Sequence, residues 1–498
     1  MRNLRVYMKA LEESGHLKAV KGETDSNLEA AALTAQSYQE VGPALHFQNI
    51  TGYPKEFTLA SGLFTGPGNL FLEKFKYWSR VGIAMGLDPM VTYDKFQSVC
   101  LERITHPIYP VQLSSGPVKQ VVKKGQEVDL KALPFPKLHE KDGGRYGTLQ
   151  TMIVQDLDSD WVIWENVRTL VLDKNRLVGH FPAHSRMAEI FAKYKAANKP
   201  MPFCISIGGP PMVTLISFLP IGKGVSPAGV AGGLNLDPIE LMKAETNGLF
   251  VPSEAEVVIE GEVSPRETAP EGPYPEFWFY REAQPAPVLQ VKAITHRKDP
   301  ILPFSVDGVK PSDTHNLISL MTSFELYNRL INVRNFGVKW VQMPLEFNLN
   351  FVIVCSKPYF PGYVAWSSKY VLSQARHFGA LYNKVVFVDD KTTSLHLEEP
   401  ILFMIQRTHP NRGYHFWDQM PIGPNIRFAS AEQKKKGYVS GLYIDTSWPM
   451  DWTPDDIPRR CNLEGSYPEA MVRKVAANYN KVGFKGTPVI FEEGFVPF

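Results

Sequence analysis

Glu271 and Glu276 stand near the two ends of the stretch Pro270-Glu271-Gly272-Pro273-Tyr274-Pro275-Glu276. Proline fixes φ at about −65°, so the three prolines of this stretch hold the two carboxyls in place. Carboxyls kept close together can carry different protonation states at neutral pH, which suits general acid–base chemistry. The plainer reading is a solvated turn with two surface acids, because most glutamates are exposed. Arg168 is the second candidate. It lies in the apolar run Trp161-Val162-Ile163-Trp164-Glu165-Asn166-Val167-Arg168-Thr169-Leu170, and a guanidinium buried there needs an anionic partner. That partner is either any neighbouring acid or the carboxylate of a substrate. His184, in Phe181-Pro182-Ala183-His184, is more often a satisfied, partly buried histidine than a ligand.

Other chemical signatures are missing. The chain has no P-loop, no GxGxxG after a strand, no HExxH and no GxSxG elbow. Gly222-Lys223-Gly224 reads as a turn. Cys100, Cys204, Cys355 and Cys461 lie far apart with no metal spacing. Cys204 and Cys355 sit in apolar runs and read as buried thiols, so a reducing compartment is expected.

The elements that must position these residues change in texture along the chain. Residues 4–14 have helical spacing, with Leu4, Tyr7, Met8 and Leu11 on one face, and 74–87 reads as a helix ended by glycine. After about residue 113, short strands are predicted at 118–122, 149–155, 161–172, 212–218 and 257–263, with another at 288–294. Their spacing suits a closed or split β-barrel. From about residue 309 the alternation returns. The runs 351–355 and 384–390 read as buried parallel strands, with a helix-length segment at 363–381 between them. A last amphipathic helix is predicted at 469–482, after a Pro/Trp-rich stretch around 445–458.

At 498 residues the chain has room for about three domains. The expected division is an N-terminal α/β region (1–112), a barrel domain (113–308), a C-terminal α/β domain (309–460) and a tail with an oligomerisation helix (461–498). With 44% hydrophobic and 21% charged residues the balance is that of a globular core, and the net charge of +2 points to neither nucleic acid nor an anionic membrane. No apolar h-region follows Met1-Arg2-Asn3-Leu4-Arg5 and no run is long enough to span a bilayer, so a cytoplasmic protein is expected.

The chain resembles the UbiD family of reversible decarboxylases, which includes ferulate/cinnamate decarboxylases and phenylphosphate carboxylases. The resemblance begins near Gly86-Leu87-Asp88-Pro89 and runs through Gly144-Arg145-Tyr146-Gly147. It takes in Val251-Pro252-Ser253-Glu254-Ala255-Glu256-Val257-Val258-Ile259-Glu260-Gly261-Glu262, Glu271-Gly272-Pro273, Ile294-Thr295-His296-Arg297-Lys298-Asp299-Pro300-Ile301 and Thr314-His315. The segment 251–273 is the most specific. The family implies a prenylated flavin mononucleotide in a split barrel like that of flavin reductases, flanked by two α/β regions. It also implies a catalytic arginine and two acids, which fall by position on Arg168, Glu271 and Glu276. The cofactor positions fall on Ile163, Trp164, Arg168, Ala183, His184, Ser217 and Leu219.

Many relatives tie the flavin phosphate to a divalent metal through an asparagine, a histidine and a glutamate. Here the first of these positions is Ile163 and the last is Pro227, ahead of Ala231-Gly232, leaving His184 alone. Isoleucine and proline cannot ligate a hard cation. A divalent metal (Mn or Mg) and K⁺ are therefore left open. The activity implied is non-oxidative decarboxylation or carboxylation of an aromatic or α,β-unsaturated acid, with CO₂ as the other partner. The assembly implied is a homodimer or larger homo-oligomer. The other reading is a catalytically reduced structural or regulatory subunit in a hetero-complex with an active paralogue.

Overall fold

The computed structural model describes residues 1–66, 76–183, 185–309, 311–334, 336–379, 381–389, 399–423, 426–458, 461 and 466–483. The chain divides into two compact units, Met1–Thr446 and Ser447–Phe498.

The first unit opens with the helix Leu4–Glu13, which buries Leu4, Tyr7, Met8 and Leu11, the face its spacing predicts. Asn3 caps it by accepting from Val6 N. Within 74–87 the helix that forms is Ser79–Ala84, and Lys74 and Phe75 lie outside the described residues. A mixed four-stranded sheet follows, in the order Leu17–Val20, Ala44–Phe47, Thr58–Ser61 and Ile301–Phe304.

Among the described residues, nine strands form the central sheet. Its order runs Tyr146–Gly147, Thr169–Val171, Arg176–Gly179, Gln284–His296, Val257–Glu271, Met201–Ile207, Gln150–Gln155 and Val162–Asn166, with Val121–Lys124 added beside Gln284–His296. Val162–Asn166 ends one side of this order, yet only Val167 and Arg168 join it to Thr169, in the strand next to the far end. Three residue steps span at most about 11 Å. The two ends of the sheet must therefore curl toward each other. Thr148 and Leu149 bridge the same gap between Tyr146–Gly147 and Gln150–Gln155. The result is a mixed α/β fold around a curled sheet.

Side chains alternate across this sheet with the period of two that strands impose. Met152, Val154, Ile163, Phe203, Ile205, Val257 and Ile259 share one core. Ile153, Trp164, Cys204 and Val258 join the core on the opposite face, with residues of the helices Pro211–Ile216 and Pro227–Asn235.

Three sequence expectations are corrected here. Residues 212–218 are not a strand: the helix Pro211–Ile216 stands there. A short, wholly buried apolar run does not separate helix from strand by period. Pro211 at the first helical turn decides for helix by pre-setting φ and needing no N–H partner. Residues 161–172 form two strands rather than one, broken at Val167-Arg168. The run 118–122 is replaced by a short 3₁₀ turn, Pro117–Lys119, and the strand Val121–Lys124.

Beyond residue 309 the helix Asp313–Ile331 leads into a five-stranded sheet. There Phe351–Ser356 and Lys384–Asp389 pair in parallel, with the helix Tyr363–Gln374 between them in sequence. Asp390 lies outside the described residues. In the second unit the tail helix runs Glu469–Asn478 and continues as a 3₁₀ turn, Tyr479–Val482.

Candidate active site

Arg168 stands in the two-residue connector where the sheet curls on itself, and the two glutamates meet it there. Its Nε lies 2.9 Å from Glu271 Oε1 and its Nη2 3.0 Å from Glu271 Oε2, a bidentate pair. Its Nη1 donates to Glu276 Oε1 at 2.7 Å. The side chains of Arg168, Glu271 and Glu276 are only 11%, 2% and 12% exposed, so this is a buried cluster and not a surface turn with two acids. The guanidinium carbon also lies 4.3 Å from the ring centre of Tyr274, whose hydroxyl donates to Asp307 Oδ2 at 2.8 Å.

Local structure explains the placement. The expected loop is in fact the end of a long strand, Val257–Glu271, followed by a small hairpin of Tyr274–Glu276 with Phe279–Arg281. Glu271 is the last residue of the ladder, opposite Gln284. Gly272 has φ +104°, which disfavours any side chain, and precedes a cis peptide to Pro273. A Cβ built on Gly143 would lie 2.2 Å from Gly272 O, so only glycine lets that backbone pass. The connector is pinned by Gln150, whose Nε2 donates to Val167 O at 2.8 Å and to Thr169 Oγ1 at 2.9 Å. Asn166 Nδ2 ties the same corner to Thr148 O and Gln150 O, each at 3.0 Å.

The electrostatics follow from burial opposed by pairing. Burial pushes both glutamates up, but Arg168 more than offsets it, and both sit below their ordinary value. His180 lies beside both acids, with Nδ1 3.6 Å from Glu271 Oε2 and Nε2 3.5 Å from Glu276 Oε1. Burial and the neighbouring Arg168 charge bring it down to about 4, so its imidazole is neutral at pH 7. Arg281 Nη1 lies 3.1 Å from His180 Nδ1 and 3.5 Å from Glu276 Oε1. Sequence reasoning missed His180, Arg281, Gln150 and Tyr274, because no spacing rule connects them. The signals available were that Tyr274 lies inside the stretch 270–276 and that His180 and Arg281 flank elements already singled out.

The remaining expected site residues are scattered. Ile163 and Trp164 are buried on opposite faces of one strand. Ser217 is buried and its carbonyl accepts from Asn166 N at 2.9 Å. Leu219 O accepts from Arg186 Nη2 at 3.3 Å. Ala183 is exposed, and His184 lies outside the described residues. Pro227 is buried at the first turn of its helix. Among the described residues no three His, Cys, Asp or Glu side chains gather as a metal site. With Ile163 and Pro227 at two expected ligand positions, the donor set does not fit a hard divalent ion.

The acids of the specific 251–262 segment are committed to structure. Glu254 pairs with Arg297 at 2.6 Å and Glu256 with Arg5 at 2.9 Å. Glu260 accepts from Glu245 N and Thr246 N, each at 2.8 Å from its Oε2.

Comparison with known proteins agrees with this architecture. Residues 110–310 match UbiD, the 3-octaprenyl-4-hydroxybenzoate carboxy-lyase Rift-related domain, and residues 8–99 match the N-terminal domain of the same carboxy-lyase. The chain belongs to the UbiD family of carboxy-lyases. Among its relatives is the pyrrole-2-carboxylic acid decarboxylase of Pseudomonas aeruginosa, 29% identical over 97% of this chain and 98% of the relative. Ferulic acid decarboxylase 1 of Saccharomyces cerevisiae is 28% identical over 97% of this chain and 98% of its own length. The fold also matches the vanillic acid decarboxylase of Sedimentibacter hydroxybenzoicus, with a TM-score of 0.82 and 24% identity over 97% of this chain and 98% of that one. HmfF of Pelotomaculum thermopropionicum, solved with FMN, gives a TM-score of 0.79 and 24% identity over 93% and 97% of the two chains.

Proposed function

We propose that this protein catalyses the reversible, non-oxidative decarboxylation of an aromatic or α,β-unsaturated carboxylic acid, using prenylated FMN seated in the curled sheet as in a flavin-reductase-like split barrel. The observation that carries the reading is the buried cluster of one guanidinium and two carboxylates at the corner of that sheet. Two cationic side chains serve this corner, Arg168 in the connector and Arg186 paired with Glu165 at the strand end, and an anionic cofactor and an anionic substrate both need such partners. When bound, the flavin supplies the electron sink that no side chain offers once CO₂ departs.

The protein's own residues do the rest. Arg168 holds the substrate carboxylate in the bidentate geometry it now gives to Glu271. That exchange takes from Glu271 the pairing that keeps it ionised, while its burial remains and Glu276 stays on Arg168 Nη1. The affinity of Glu271 for a proton then rises, and the proton it takes up from solvent goes to the carbon that lost CO₂. Neutral His180 packs beside both carboxylates and adds no opposing charge there.

Purified protein carrying flavin absorbance should release CO₂ from members of a panel of aromatic and unsaturated acids. Colourless protein that co-purifies with a larger relative and releases no CO₂ would instead favour a non-catalytic subunit. The working assembly proposed is a homo-oligomer. An evolved form of HmfF is dimeric, and here the tail helix leaves Met471 and Val475 exposed.

A further inference from the structure

The divalent ion does not fit, yet a flavin phosphate carries charge that something must meet. Arg186 is placed to meet it. It opens the helix Arg186–Ala196, where a positive side chain opposes the helix macrodipole, so helix stability is not what holds it there. Its guanidinium sits in a cage of oxygens drawn from two other segments. Nε lies 2.8 Å from Glu165 Oε1, Nη2 lies 3.3 Å from Leu219 O, and Nη1 donates to Ile221 O. Glu165 is itself fixed from the other side, since its Oε2 accepts from Met187 N at 3.1 Å.

One carboxylate and two carbonyl oxygens are the donors a hard cation takes, and here a guanidinium takes them. Glu165 lies two residues from Ile163, on the same face of the same strand by alternation, and Ser217 and Leu219 lead into Ile221. The cage thus draws on the same strand and the same connecting segment as the expected cofactor positions Ile163, Ser217 and Leu219. Arg186 still has two of its five N–H bonds without a partner among the described residues, and its side chain is 22% exposed. Such a planar donor matches phosphate oxygens directly.

We infer that the Arg186 guanidinium is the resident cation of the cofactor site, holding the flavin phosphate by direct N–H···O bonds in place of a divalent metal. This rests on the flavin reading above. Glu165 orients the guanidinium, and the Leu219 and Ile221 carbonyls fix its plane. Because this cation is covalently part of the chain, chelators cannot remove it.

The test titrates FMN and riboflavin, which lacks the phosphate, into the apo full-length protein in EDTA, followed by flavin fluorescence. The wild type should bind FMN without metal, with riboflavin weaker by roughly tenfold to a thousandfold. Added Mn²⁺ or Mg²⁺ should change the FMN dissociation constant by less than about twofold. Arg186→Met combined with Glu165→Gln leaves no charge buried alone. That double variant should bind FMN only as tightly as riboflavin, with riboflavin binding unchanged. Arg186→Lys, which keeps the charge but not the fork, should fall between. Equal weakening of both flavins, or no weakening of FMN, would make Arg186 a structural ion pair and overturn the assignment. FMN binding that requires Mn²⁺ or Mg²⁺ would overturn it while leaving the flavin reading intact. Wild-type protein that binds neither flavin would end both.

Discussion

The bidentate contact between Arg168 and Glu271 sets what a single substitution should do. Glu271→Gln keeps the volume and one acceptor oxygen, so the fold and flavin retention should survive. The group that delivers the proton is gone, and turnover should fall by on the order of 10²–10⁴. Near-native CO₂ release from that variant would remove Glu271 from proton transfer. His180 makes a different, thermodynamic prediction. Its ordinary value is 6.5 and its value in the folded protein about 4, so between those limits the unfolded chain binds more protons than the folded one. The stability that neutral His180 contributes is therefore whole above about pH 6.5 and is lost as pH falls toward 4. Glu271 and Glu276 are held below 4.5, so their share is lost at lower pH still. In urea titrations, His180→Asn should lose less stability than the wild type between pH 7 and pH 4.5, by about 2–3 kcal/mol. Parallel pH profiles for the two proteins would show that His180 does not titrate as its surroundings imply.

At the scale of elements, the connector between Val162–Asn166 and Thr169–Val171 decides where Arg168 points, and Gln150 holds that connector. Gln150→Leu leaves the Val167 carbonyl without its side-chain donor in a buried corner. The expected cost is about 1–3 kcal/mol of unfolding free energy. Because Arg168 would lose its fixed position, KM for the acid should rise along with a fall in kcat. A variant that loses the stability but keeps both kinetic constants would separate the corner from the site. These elements also show what the sequence made legible. Periodicity was enough for the helix Leu4–Glu13, where one face is apolar and the other polar. It was enough for the parallel pair Phe351–Ser356 and Lys384–Asp389, which are β-branched runs buried on both faces. It failed at Pro211–Ile216, where burial all round erases the period. It also missed the break at Val167-Arg168, since nothing local marks a strand that changes edges of a sheet. The three charged residues of the site stood out from their own contexts, two acids among prolines and an arginine in an apolar run, and likeness to a family motif then joined them as one site. His180, Gln150 and Arg186 escaped because their roles depend on contacts between segments distant in the chain.

For the molecule as a whole, the open question is what the tail helix covers. Glu469–Asn478 has an apolar stripe, and Glu469 and Arg473 form an i,i+4 pair on its charged side. Val472 is buried, whereas Met471, Val475 and Val482 are 46%, 47% and 68% exposed, which leaves part of the stripe uncovered in the isolated chain. The stretch before it, with Trp448 stacked on Trp452 and Pro454 opening a 3₁₀ turn, is stiffened by proline and aromatic packing. A half-covered amphipathic helix suits docking on a second copy of the chain, because burying each remaining apolar side chain contributes about 1.5–3 kcal/mol. Removing residues from 466 onward should then give a smaller particle by light scattering, beyond the mass deleted. Charging the stripe with Val475→Glu in the full-length chain should do the same without shortening it, since a carboxylate cannot be buried there unpaired. Both proteins should keep their flavin, because Arg168, Arg186 and the curled sheet belong to the other unit. If the truncated and the charged proteins both keep the parent's number of chains per particle, the helix is not an assembly arm, and the exposed stripe serves its own chain alone.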